Sequence, residues 1–143
     1  MKNILIALLL FISSSAFSQQ AQIIISTNNN SLQISPDSNN INKLFVINNA
    51  IFSDKDYLTI KVNSESDKKE FNRKFFIYDS SNIAIKDFVL MSDGTYCLKL
   101  NDVSKLLLPQ KEYFIYTTAI PKDVKKAMLV KMAKRLVCKI KIL

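Results

Sequence analysis

Along most of the chain, apolar and polar residues alternate in short runs, and clusters of Asn, Asp and Ser stop each run. Alternation with period two marks a strand that buries one face and leaves the other in water. The pattern predicts strands at 22–27, 32–35, 43–49, 57–63, 73–78, 83–89, 95–100 and 112–119, with a last one inside 129–142. Strands spaced at intervals near ten residues predict an all-β fold, a sandwich or a barrel. Helical spacing is confined to two short pieces, 102–106 and a turn near 121–128. The stretch NSESDKKEFNRK, residues 63–74, is the most polar and reads as an exposed inter-strand loop. No internal repeat or break in composition marks a second domain.

The first twenty residues, MKNILIALLLFISSSAFSQQ, stand apart from this pattern. Lys2 precedes an apolar run, and Ala16 and Ser18 supply the small residues that signal peptidase needs before Gln19. Residues 1–18 are therefore expected to be a cleaved signal peptide and 19–143 a single β-sandwich domain. The apolar run is well short of the roughly 20 residues that span a bilayer, so no transmembrane segment is expected after cleavage. Without a cysteine near the cleavage point, a lipid anchor is disfavoured too. Richness in Asn, Lys and Ile with a single glycine, Gly94, fits an AT-rich bacterial genome and hence a periplasmic or secreted bacterial protein. Turn positions usually filled by glycine must then fall to Asn and Asp, which tolerate positive φ best after glycine.

Charge changes the picture once it is mapped. The formal net charge is +8, yet residues 20–121 carry eleven Lys/Arg against eleven Asp/Glu. The excess lies in the last segment, where Lys122, Lys125, Lys126, Lys131, Lys134, Arg135, Lys139 and Lys141 face only Asp123. Read as a strand, 136–142 puts Leu136, Cys138, Ile140 and Ile142 on one face and Val137, Lys139 and Lys141 on the other. The lysines then decorate a solvent-facing edge strand and discourage pairing with other chains. Read as a helix, Val124, Met128, Met132 and Leu136 line up, and the segment becomes a cationic amphipathic helix for anionic membranes. The β-branched residues favour the strand for the second half. As a functional patch, these residues would meet an anionic lipid, a glycan or an acidic protein surface.

Just before this segment stands LLLPQKEYFIY, in which Leu107, Pro109 and Tyr113 are followed by a strand and preceded by the alternating TYCLKL. The spacing Leu107-x-Pro109-x-x-x-Tyr113 resembles the tyrosine corner of immunoglobulin-like and fibronectin type III domains. The resemblance implies an immunoglobulin-like antiparallel sandwich with 95–100 and 113–119 as its fifth and sixth strands. It makes Tyr113 a buried structural residue whose hydroxyl reaches back to the main chain, with Pro109 and Leu107 beside it.

Catalytic chemistry is disfavoured by what the sequence lacks. There is no histidine, which excludes Ser–His and Cys–His nucleophile pairs and His-ligated metals. No glycine-rich phosphate loop, Cys-x-x-Cys pair or calcium loop occurs, and Asp54/Asp56 and Asp67/Glu70 read as solvated turns. No enzyme activity, cofactor or metal is expected. Cys97 falls on the outer face of its strand and Cys138 on the inner face, which argues against a disulfide. Nucleic acid is not expected, since no aromatic residues interleave with the basic ones. Two functions remain open: an exported non-catalytic binding or structural module, and an envelope-associated protein attached to anionic lipid or polysaccharide through 122–143. The first calls for an envelope protein as partner, the second for an anionic surface.

Overall fold

A computed structural model describes residues 22–35, 40–48, 52–129 and 133–143. The signal peptide expected at 1–18 and Lys131 lie outside the described residues. Among the described residues, ten strands form two five-stranded sheets. The first holds, in spatial order, β2 (Ser31–Ile34), β1 (Gln22–Ser26), β4 (Tyr57–Asn63), β8 (Tyr96–Lys99) and β7 (Val89–Leu90). The second holds β3 (Leu44–Ile47), β10 (Arg135–Ile142), β9 (Glu112–Pro121), β5 (Phe71–Tyr78) and β6 (Ala84–Asp87). Neighbours are antiparallel except β3 and β10, which run parallel. The all-β sandwich expected from the alternation is thus present.

The inner faces follow the sequence pattern. In β4, Leu58, Ile60 and Val62 are buried while Lys61 and Asn63 are exposed. Ile23 and Ile25 of β1 join them, and Phe45, Phe75, Ile77, Ile115 and Ile140 answer from the second sheet in one continuous core. Full burial of each such side chain contributes about 1.5–3 kcal/mol. Turns use the substitutes for glycine that the composition requires. Asn82 takes φ 62° in the turn between β5 and β6, where the Asp79 carboxylate accepts the N–H groups of Ser81 and Ile83.

Among the described residues, three short helices join strands: α1 (Glu65–Glu70), α2 (Leu100–Leu106) and α3 (Val124–Leu129). The last two match the expected helical pieces to within two or three residues. The first corrects the loop reading of 63–74, because Ser64 caps α1 by accepting the Asp67 N–H and β5 begins directly at Phe71.

The other corrections concern strands. Residues 83–89 do not form one strand. Phe88 turns into the core against Phe75, its N–H bonding Phe75 C=O, and this divides the run into β6 and β7 on different sheets. The final strand is not an edge: β10 lies between β3 and β9. Its inner face holds Cys138, Ile140 and Ile142 as expected, but Val137 is only 1% exposed. A register shift between Leu136 and Cys138 lets Val137 turn inward, leaving Leu136 half-buried.

Candidate functional site

A cleft of about 660 Å³ opens at one corner of the sandwich, where strands of both sheets run past their neighbours. β8 covers β4 only from Tyr57 to Ile60, and β6 covers β5 only from Phe76 to Tyr78. The uncovered ends, 61–63 of β4 and 71–74 of β5, are joined by α1, which closes one end of the opening. Lys122 ties the same end down: its N–H bonds Glu70 C=O at 2.8 Å and its Nζ bonds Lys68 C=O at 2.6 Å.

The floor is apolar and aromatic. Phe75 meets the edge of Tyr96 at 4.7 Å between ring centroids and that of Phe88 at 6.5 Å, with Val62, Leu90 and Ile120 around them. Set into this floor is an ion pair. Arg73 Nε donates to Asp67 Oδ1 at 2.7 Å and Nη2 to Oδ2 at 2.6 Å, and the two side chains are only 12% and 10% exposed. The bidentate fork fixes both groups and satisfies a carboxylate that burial would otherwise penalise. The Tyr96 hydroxyl crosses between the sheets to donate to Arg73 C=O at 3.1 Å. Burial pushes the Tyr96 phenol above its ordinary 10.0, against the pull of the Arg73 charge, with Asp67 adding to the rise. Around the rim, Lys68, Lys74 and Lys122 join Arg73 against Asp67 and Asp87. At the mouth stands Leu90, which is 59% exposed.

None of these groups was singled out as a site in the sequence except Lys122, and Asp67 had been read as a solvated turn. A signal was nevertheless present: Ser64-Glu65-Ser66-Asp67 is a helix-start pattern, and it places Asp67 at the third helical position.

The eight basic residues of the tail are spread over the molecule. Lys122 sits at the cleft rim, and Lys125 and Lys126 stand exposed on α3. Lys134 lies over the rings of Tyr78 and Tyr116, 3.7 and 4.5 Å from their centroids, and also bonds the Asn82 side chain. With Phe76 and Phe114 these rings make an aromatic row on the outer face of the second sheet, so the fold supplies an interleaving that the linear sequence lacks. Arg135 is exposed at the start of β10, and Lys141 is half-buried on its outward side. Lys139 approaches Glu112 at 3.5 Å across the strand pair.

The corner residues fall together. Tyr113 is 3% exposed and its hydroxyl oxygen accepts Leu108 N–H at 2.9 Å; Leu107 is buried and Pro109 is exposed in the turn. Gln110, next after Pro109, takes φ 67°. Both cysteines are free, Cys97 half-buried and Cys138 fully buried. Burial raises the Cys138 thiol from 9.0 to about 12, which keeps it protonated and unreactive at neutral pH.

The chain matches no protein-family model, and no curated protein or solved structure is detectably similar to it.

Proposed function

We propose that this chain is an exported, non-catalytic binding module of the immunoglobulin-like type. Two features support the fold assignment. If β1, β4, β5, β7, β8, β9 and β10 stand for strands A to G, the sheets read A-B-E-D and C-F-G, the immunoglobulin arrangement, with β2 and β3 added and β6 as a further strand beside C. The Tyr113 hydroxyl reaches back across the passage into β9, as a tyrosine corner does.

The observation that carries the binding reading is the cleft. It has an apolar floor, fixed polar groups and a basic rim, the composition of a recognition site. The competing reading is attachment to an anionic envelope surface through 122–143, favoured by the exposure of Lys125, Lys126 and Arg135.

One experiment separates them: retention of an envelope partner on the immobilised chain at low and high salt, for the wild type and two double variants. Loss with Leu90→Asp/Lys74→Glu but not with Lys125→Gln/Lys126→Gln supports the cleft. The reverse pattern supports the basic segment, and indifference to both overturns the binding assignment.

A further inference from the structure

We infer that the cleft receives an extended segment of a partner protein in which acidic side chains alternate with apolar ones. This rests on the binding-module reading above and names its partner class.

Shape argues for an extended chain. The opening runs along two uncovered strand ends, 61–63 and 71–74, with Leu90, 59% exposed, at its mouth. An elongated, strand-lined opening with an exposed apolar side chain suits an extended chain more than a compact small ligand.

Charge sets the sign of the partner. Asp67 is neutralised by its own Arg73 and Lys68 is paired with Glu65 at 3.5 Å, which leaves Lys74 and Lys122 facing Asp87 in the cleft. Carboxylates of the incoming segment would meet these lysines, while its apolar side chains cover Phe88, Leu90 and Tyr96.

Main-chain chemistry sets the mode. Added strands normally pair with a free strand edge. Here Arg73 C=O is held by the Tyr96 hydroxyl and Phe75 C=O by Phe88 N–H. The segment is therefore recognised through its side chains rather than as a fully paired sixth strand. Because the lysines are at the rim, affinity falls with salt.

The test is fluorescence anisotropy with the full chain and labelled peptides of about eight residues, roughly 26 Å when extended. Three peptides are compared: alternating Leu and Glu, alternating Leu and Lys, and alternating Ser and Glu. Phosphatidylglycerol vesicles form a fourth arm. The Leu/Glu peptide is expected to bind at least about tenfold tighter than the other two. That affinity should fall about tenfold with Lys74→Glu/Lys122→Glu and with Leu90→Asp. Circular dichroism reports whether each variant is folded. Should the double variant not fold, exposed Lys74→Glu alone shifts preference toward the Leu/Lys peptide if the inference holds. Equal affinity for the Glu and Lys peptides, binding unchanged in the variants, or capture by vesicles alone would overturn it. An envelope partner lost on cleft mutation, with no preference among peptides, sinks this inference and leaves the module reading standing.

Discussion

Two tyrosine hydroxyls in this protein reach the main chain, and they do so under different conditions. Tyr113 accepts Leu108 N–H at 2.9 Å, from only five residues away, beneath a corner that buries its ring almost completely. Tyr96 donates to Arg73 C=O at 3.1 Å, from 23 residues away, and stands half-buried above a cleft. The corner links neighbours in sequence, so little chain entropy is lost in making it and water is kept away from the ring. The cleft bond joins two sheets where solvent already enters, beside an ion pair and a basic rim. One region stabilises the fold; the other leaves a cleft between the two sheets.

The largest effect expected from this contrast is on ring removal. Tyr113→Ala should cost about 3–5 kcal/mol, the range for large aromatic truncations in a packed core. Tyr96→Ala should cost markedly less, because the cleft already admits water beside the ring. Urea unfolding of both variants checks this. Equal losses would mean that the cleft is as structural as the corner.

Next comes the ion pair of the cleft. Removing one partner from a buried pair costs about 3–5 kcal/mol when burial is complete. At 10–12% side-chain exposure, Asp67→Ala or Arg73→Ala should fall at the lower end, about 3 kcal/mol. Asp67→Leu/Arg73→Met should recover most of that loss, since no charge is then left unpaired. A double-mutant cycle with no coupling would show the pair to be screened, and the floor of the cleft to be less well fixed than its geometry indicates.

The two regions also differ in how far sequence could foresee them. The Tyr113–Leu108 bond lies within the seven residues from Leu107 to Tyr113, so spacing alone carries it. Alternation likewise predicts a strand at 57–63, and Leu58, Ile60 and Val62 of that run are buried on one face, because a strand's inner face is written in its own residues. Asp67 and Arg73 sit in a run whose composition is that of a solvated loop, and their burial depends on α1 folding back against β5. Val137 was hidden for a related reason, since one register shift reassigns faces without any change in composition. The interior position of β10 depends on pairing with β3, nearly a hundred residues earlier in the chain. What is legible lies in a strand's own alternation or a known spacing; what is missed depends on how elements pack, whether adjacent like α1 and β5 or distant like β3 and β10.

A smaller effect isolates the corner hydroxyl itself. Tyr113→Phe keeps the ring and removes the acceptor of Leu108 N–H, so the loss should be about 1 kcal/mol, the net value of one such bond. Calorimetric melting would show a fall of roughly 3–5 °C. No change would mean that packing of the ring, and not the bond, holds the corner.

The smallest effect at neutral pH is expected from Tyr96→Phe, and its dependence on pH makes it the most discriminating. Water in the cleft can replace the hydroxyl as donor to Arg73 C=O, so stability near pH 7 should change by less than about 0.5 kcal/mol. Alkaline conditions reverse the order of the two proteins. Burial raises the folded phenol above 10.0, with Asp67 reinforcing and Arg73 opposing the rise, so the fold favours the neutral form. That contribution is fully present below the unfolded pKa and is lost as pH rises through the folded one, because the unfolded chain ionises first. The Phe variant has no proton to lose at this site and should become the more stable of the two above pH 10. Urea melts of both at pH 7 and pH 11 read the difference directly, since titrations elsewhere in the chain are common to both. A constant difference across that interval would mean that the Tyr96 hydroxyl lies in ordinary solvent, and the cleft would then be wetter than its Phe75 and Phe88 floor implies.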